Sequence, residues 1–163
     1  YAVWLNDDSA VTSGWDVASY EFMTDHADVG IGALAWCDYH RDDAEHKCRW
    51  QVSQVWGGVP YANFGILRRE LGEKVGWFDE RITVGYGMDN SLCCRVMDLG
   101  LGVVGIADAR ICHYREMDES RSENYETLSR LGNQFFELYG ARADYYRGVA
   151  ERFAQLQPVE LLR

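Results

Sequence analysis

Apolar runs and amphipathic stretches alternate along much of the chain. YAVWL predicts a buried strand that ends in the polar loop NDDS, and DVGIGALAW predicts a second strand. GVVGIADARICHY predicts two short strands, while TSGWDVASYEFMTDH and MDNSLCCRVMDLG have the apolar spacing of helices. Because strands alternate with helices, the pattern predicts an α/β layer architecture.

Cap residues predict where the helices begin and end. Thr12 or Ser13 is expected to cap the first helix, and Gly76 to end a second at about residues 67–75. Residues 123–162 are expected to be mostly amphipathic helix with a break near Gly140. The positions expected to face the core are Trp15, Ala18, Phe22, Met23, Leu92, Val96, Leu99, Leu128, Leu131, Phe135, Phe136, Leu138 and Tyr139.

A long polar stretch, CDYHRDDAEHKCRWQVSQVWGG, follows the second predicted strand. It has no clean period and predicts a long loop or an irregular hairpin, with VPYANFG forming a backbone turn behind it. Cys37, His40, His46 and Cys48 are zinc-capable ligands, but their spacing matches no common zinc module. A solvated loop is therefore the first interpretation and a structural zinc site the alternative.

Composition narrows the classes of function. A chain of 163 residues, 47% of them hydrophobic, is long enough for one compact domain with a core. The net charge of −10 argues against nucleic acid as a partner. The negative charge is still compatible with a phosphorylated small molecule as a ligand, because a divalent cation can bridge carboxylates to phosphate. No apolar run reaches the roughly 20 residues that a membrane span needs.

Five cysteines in an odd count, without a CxxC pair, predict reduced thiols and a cytoplasmic setting.

Polar residues at the ends of predicted strands are the first candidates for chemistry, because α/β sheets bind ligands at such ends. Of Asn6, Asp7 and Asp8, Asp8 is expected to face a pocket, where its oxygens would suit Mg²⁺ or Mn²⁺. His113 follows another predicted strand and could also ligate a metal. The alternatives are an aspartate that caps the next helix and a histidine with one ordinary hydrogen bond.

Asp89 lies in the first turn of a predicted helix behind Gly85 and Gly87. The glycines permit positive φ or close approach of a ligand, and the helix dipole favours an ionised carboxylate. Asp89 is thus a candidate general base, with an ordinary helix N-terminal acid as the alternative. Aromatic residues near these positions, including Trp36, Phe64 and Trp77, could stack on a sugar, although core packing is their default role.

The order of these motifs resembles that of the family 2 glycosyltransferases, inverting enzymes with a GT-A fold. LNDDSAVTSGW looks like the family's metal-binding aspartate motif. NFGILRRELGEKVGWFDERITVGYGMDNSLCCRVMDLGLGVVGIADARICHY looks like the middle and end of its catalytic domain. GNQFFELYG is similar to the helix that often follows, so the resemblance covers about residues 2–140. It implies a partial GT-A mixed sheet with flanking helices over residues 1–122, and a helical extension packed on it over residues 123–163.

The resemblance also implies roles for individual residues. Asp8 and His113 would hold Mg²⁺ or Mn²⁺ at the diphosphate of a nucleotide sugar. Asp89 would take the proton of an acceptor hydroxyl, on a glycan or another molecule, as the sugar is transferred with inversion. The residues implied to line the substrate site are Asn6, Asp7, Asn63, Phe64, Gly65, Trp77 and Gly87.

The chain also departs from the family pattern. Met88 stands where the family usually has Glu, Ser91 replaces a common acid, and the metal motif reads Asn-Asp-Asp. The family's first strand and its nucleobase-binding βα units have no counterpart before Tyr1. The chain is therefore expected to correspond to the C-terminal portion of the domain, with exposed sheet edges able to associate. A non-catalytic glycan-binding or scaffold module and a metal-dependent phosphohydrolase are the alternative functions.

Overall fold

A computed structural model describes residues 1–38, 53–56, 59–82, 87–114 and 134–157. Within these ranges the fold is mixed α/β, with a five-stranded sheet, a separate two-stranded hairpin and flanking helices. The strands are β1 Ala2–Trp4, β2 Ser9–Val11, β3 Val29–Asp38, β4 Ser53–Trp56, β5 Val59–Ala62, β6 Gly65–Leu67 and β7 Gly102–His113. The helices are α1 Trp15–Asp25, α2 Arg69–Val75, α3 Met88–Met97, α4 at residues 134–139 and α5 Ala143–Glu151, with 3-10 turns at Gly140–Arg142 and Ala154–Leu156.

The large sheet has the strand order β1-β6-β3-β7-β2. Only the central pair, β3 and β7, is parallel, and the other neighbours are antiparallel. The carboxyl ends of β3 and β7 therefore lie at the same edge of the sheet, and the start of β2 lies there too. The predicted α/β class and the predicted strand at β3 are confirmed, and nine of the ten residues of β3 are buried.

The run predicted as two short strands is one strand of 12 residues, β7. Leu34 of β3 pairs with Ile106, whereas the next residue, Ala35, pairs with Arg110, so residues 107–109 form an irregular bulge. Pairing with β3 resumes after the bulge and continues to His113. The sequence pattern shows where the bulge interrupts the apolar run. It does not show that β3 pairs with β7 on both sides of the bulge, so the prediction of two strands was wrong.

β1 is an edge strand rather than the buried strand that was predicted. Val3 is 38% exposed and Leu5, just after the strand, is 40% exposed, because β6 is the one partner of this strand among the described residues. Trp4 faces inward and covers Gly65, where an added Cβ would lie 2.3 Å from the indole ring.

Strand β4 lies in the stretch that was predicted as a long loop or an irregular hairpin, and its antiparallel partner β5 replaces part of the turn predicted at VPYANFG. Most of the remaining polar stretch, including residues 39–52, lies outside the described residues.

The start of α1 differs from the prediction. Gly14, with φ of 80°, occupies the N-cap position, and neither Thr12 nor Ser13 caps the helix. The Thr12 hydroxyl instead donates to the Arg110 carbonyl at 2.9 Å, because Thr12 follows β2 along β7. The predicted apolar face is confirmed, with Met23 fully buried and Trp15, Ala18 and Phe22 packed on the core.

Arg68 stabilises the end of α1, a role that no sequence pattern indicated. Its guanidinium donates to the carbonyls of Val29 at 2.8 Å and His26 at 3.2 Å, and also to the carbonyl of Met23. The contacts to Met23 and His26 satisfy carbonyls at the end of α1, and the contact to Val29 joins the same guanidinium to the start of β3.

The helices α2 and α3 lie close to their predicted positions. Gly76 ends α2 with φ of 76°, and Leu92 and Val96 of α3 are fully buried. Leu99 was expected to face the core but is 42% exposed, because α3 ends at Met97 and Leu99 lies in the following turn.

The C-terminal helices pack against the sheet, with Tyr146, Val149 and Phe153 buried. In α4, Phe135 and Tyr139 are buried, whereas Phe136 and Leu138 point outward, which corrects their predicted core positions. Leu128 and Leu131 lie outside the described residues. Among the helices that the structure describes, none has the length and apolar character needed to span a bilayer.

Candidate active site at the edge of the sheet

Three strands of the large sheet bring polar residues together at one edge. β3 ends at Asp38 and β7 ends at His113, and these two residues are partners in the parallel register. On the other side of β7, Ser9 at the start of β2 pairs with His113. His113 is therefore flanked by polar residues from both neighbouring strands.

Both ring nitrogens of His113 face a carboxylate. Nδ1 lies 2.7 Å from Oδ1 of Asp38, and Nε2 lies 3.2 Å from Oδ1 of Asp8. Asp8 occupies the turn before β2, where its carbonyl accepts a hydrogen bond from the Tyr114 amide at 2.7 Å. The structure thus places Asp8 and His113, the two residues implied to bind metal, beside each other.

Asp38 is a site residue that the sequence reasoning missed. A signal was available, because Asp38 directly follows an apolar strand, as His113 does. Only the parallel pairing of β3 with β7 shows that these two strand ends are adjacent.

Aromatic side chains enclose the imidazole. The His113 ring makes edge-to-face contacts with Trp36, at 5.9 Å between centroids, and with Phe64, at 5.4 Å. His113 is only 8% exposed, yet Nε2 has no hydrogen bond of normal geometry to any residue that the structure describes. A buried polar atom in this condition indicates a position where a further ligand could bind.

The geometry around Nε2 fits a small divalent cation. Two neighbouring ligands of an octahedral ion with bonds of about 2.1 Å lie about 3.0 Å apart, close to the 3.2 Å between Nε2 and the Asp8 carboxylate. In the described ranges, no group of three or more His, Cys, Asp or Glu side chains comes together as a metal site. Mg²⁺ and Mn²⁺ prefer oxygen ligands and commonly keep water and substrate phosphate, so the Asp8 carboxylate is the better of the two candidate ligands and His113 the weaker one.

Asp89 lies in the first turn of α3, as predicted, and Gly87 before it has φ of 104°. Burial raises the pKa of the Asp89 carboxyl to about 7. The helix N-terminus favours the ionised form, so desolvation outweighs the dipole at this position. Gly85 lies outside the described residues.

The helix that carries Asp89, α3, contacts β5, and the residues that follow β5 approach His113. The Ala62 amide of β5 donates to the sulfur of Cys93, one helical turn after Asp89, at 3.4 Å. Two residues beyond Ala62, Phe64 touches the His113 ring.

The other residues implied to line a substrate site lie in varied surroundings. Asn6 and Asp7 are exposed, and Asn63 is partly buried between β5 and β6. Phe64 is fully buried in the core. Trp77, with φ of 55°, covers Gly72 of α2, where an added Cβ would lie 2.3 Å from the indole ring.

The redox state of the cysteines differs from the prediction that all five are reduced thiols. Cys93, Cys94 and Cys112 are free, but Cys37 is in a disulfide. Disulfides persist mainly in oxidising compartments, so the cysteines no longer support a cytoplasmic location, which stays a prediction. His40, His46 and Cys48 of the zinc alternative lie outside the described residues.

No protein family model, curated protein sequence or solved structure matches this chain, so its proposed function has to rest on the motifs and the geometry of the site itself.

Proposed function

We propose that the chain is part of an inverting, GT-A-type glycosyltransferase that depends on Mg²⁺ or Mn²⁺. The observation that carries this proposal is the meeting of Asp8 and His113 at the edge of the sheet, with Nε2 and Oδ1 only 3.2 Å apart. The order of motifs that resembles family 2 suggests the reaction, and the closeness of Asp8 and His113 supports the proposed cation site. The donor is a nucleotide sugar and the acceptor is a hydroxyl group.

Asp8 and His113 would bind the cation through one carboxylate oxygen and Nε2. The bound cation would neutralise the charge that develops on the departing nucleoside diphosphate. Asp7 is exposed next to Asp8, where it can support the loop or meet the nucleotide.

Asp89 would act as the general base. A carboxylate with a pKa of about 7 can be ionised near neutral pH and still accept a proton readily. The acceptor oxygen then bonds to the anomeric carbon while its proton passes to Asp89. The bond between that carbon and the diphosphate oxygen breaks on the opposite face, so the configuration inverts.

The first experiment tests the cation site. Isothermal titration of the chain with UDP or GDP, with and without MnCl₂, is expected to show binding that requires Mn²⁺. Replacing Asp8 with Asn is expected to weaken this binding by at least about tenfold. Asp108→Asn, which changes an exposed acid of β7 with no role in the proposed site, is the matched control and should retain binding. Equal binding by both variants would contradict the proposal.

The second experiment tests the base. Asp89→Asn is expected to lower sugar transfer by about 10²- to 10⁴-fold and to leave nucleotide binding near the wild-type level. Asp16→Asn, which changes an exposed acid in the first turn of α1, is the control. Full transfer by Asp89→Asn would refute this role.

The same assays separate the alternative functions. Glycan binding without any turnover would favour a non-catalytic module. Phosphate release from a simple phosphate ester would favour a phosphohydrolase. Association through β1 and β2, which are the outer strands of the sheet in the described part of the chain, would appear as a concentration-dependent mass in solution.

A further inference from the structure

We propose that Asp38 is a positioning residue, which accepts a hydrogen bond from Nδ1–H of His113 and thereby keeps the Nε2 lone pair directed toward Asp8. The cation that this lone pair would bind is part of the proposed function, so the effect of Asp38 on cation binding rests on that function. The hydrogen bond itself concerns only residues of the chain.

The two contacts of His113 are not equivalent. The Asp38 contact is 2.7 Å long and has the geometry of a hydrogen bond. The Asp8 contact is longer, at 3.2 Å, and Nε2 lacks a hydrogen bond of normal geometry within the described part of the chain. A neutral imidazole carries one proton, and the better-aligned carboxylate is the better acceptor for it. For a neutral ring, this geometry favours the proton on Nδ1.

The sheet holds Asp38 in place for this contact. Asp38 and His113 are register partners on neighbouring parallel strands, so their side chains leave the sheet on the same face. Trp36 and Phe64 pack against the ring and limit its rotation. A carboxylate on the far nitrogen of a metal-binding histidine fixes its tautomer and strengthens it as a ligand.

Two other arrangements would oppose this assignment. The proton could sit on Nε2 and point to Asp8, which would leave no lone pair for a cation. Alternatively, both nitrogens could stay protonated as an imidazolium between two carboxylates. Both arrangements give nitrogen chemical shifts that differ from those of the Nδ1–H form.

The decisive measurement is a long-range ¹H–¹⁵N NMR spectrum of the ¹⁵N-labelled chain without metal. The His113 signals are assigned by their loss in His113→Gln, and pH is raised until the ring shifts stop changing. The expected result is the Nδ1–H tautomer. The Nε2–H tautomer, or a ring that stays doubly protonated at the highest pH at which the chain is folded, would overturn the proposal.

A titration with MnCl₂ alone tests the consequence for binding. Asp38→Asn is expected to weaken Mn²⁺ binding by about 10- to 100-fold. Asp108→Asn, an exposed acid in the bulge of β7, is the matched control and should bind as wild type does. Unchanged binding by Asp38→Asn would overturn the positioning role.

The two proposals fail in different ways. A wild-type chain that binds no Mn²⁺ would overturn the cation site of the proposed function, whatever the tautomer. A wild-type chain that binds Mn²⁺ with the proton on Nε2 would overturn only the role of Asp38. If Asp38→Asn does not fold, the tautomer of His113 in the wild-type chain still tests the role proposed for Asp38.

Discussion

Two carboxylates, Asp79 in the turn after α2 and Asp89 in the first turn of α3, have opposite electrostatic surroundings. Asp79 is 5% exposed and accepts hydrogen bonds from the Arg81 side chain at 2.6 and 2.9 Å and from the Tyr139 hydroxyl at 2.6 Å. These donors, Arg81 above all, hold the pKa of Asp79 well below its usual range despite burial. At Asp89 desolvation dominates, and the pKa rises to about 7.

The difference separates a structural acid from a candidate functional one. Asp79 joins the turn after α2 to Tyr139 of α4, so its charge contributes to the attachment of α4 to the rest of the fold. Asp89 has surroundings that disfavour its charge, which is typical of groups that exchange protons during catalysis. The same substitution, Asp to Asn, is therefore expected to have opposite effects on stability at the two positions.

The largest expected effect is on the pH dependence at Asp89. In the unfolded chain an aspartate titrates near about 4, and in the folded chain Asp89 titrates near 7. Between these values the folded chain binds the extra proton, so the wild type loses stability as pH rises from about 4 to 7. Asp89→Asn removes this loss. The free energy of unfolding of Asp89→Asn, relative to that of the wild type, is therefore expected to rise by up to about 4 kcal/mol between pH 4 and pH 8.

Urea denaturation at the two pH values measures this gain. Asp16→Asn serves as the control, since Asp16 is exposed in the first turn of α1. If the difference in free energy of unfolding between Asp89→Asn and the wild type stayed constant with pH, Asp89 would not be in a desolvated site.

The next largest effect is expected at Asp79. Asp79→Asn removes the charge that Arg81 and Tyr139 bind and is expected to lower the free energy of unfolding at pH 7 by about 2–3 kcal/mol. Because the folded pKa is depressed, this contribution is present above about pH 4 and is lost as pH falls below it.

Denaturation of Asp79→Asn at pH 7 is compared with that of Glu80→Ala, which changes the exposed neighbour. If the two variants were equally stable, the Asp79 contacts would contribute no more than a surface charge does. The contrast with Asp89 would then disappear.

A smaller effect is expected where the C-terminal segment meets β7. A Cβ added at Gly102 would lie 2.7 Å from the Phe153 ring, so Gly102→Ala is expected to destabilise the fold by about 1–3 kcal/mol. Gly148 of α5 has nothing within 4 Å of an added Cβ, and Gly148→Ala is expected to stabilise by about 0.5–1 kcal/mol. Thermal unfolding of both variants tests the packing, and a neutral Gly102→Ala would contradict close contact with Phe153.

The candidate site could be predicted only in part. Asp8, Asp89 and His113 stand out in the sequence because each follows a strand or begins a helix, and these positions are local features. Asp38 did not stand out, because its importance comes from the register between β3 and β7. Arg68 and Tyr139 were missed for the same reason, since their partners are distant in sequence.

What the sequence by itself determined is the set of local elements. The apolar run of β3, the glycines that end α2 and start α3, and the inward faces of α1 and α3 follow from periodicity and backbone preference. Only the tertiary structure decided that β1 is an edge, that β7 continues through a bulge, and that Asp8 and Asp38 face opposite nitrogens of His113. The physical reason is that strand order and register depend on hydrogen bonds between distant segments, which no local pattern of side chains specifies.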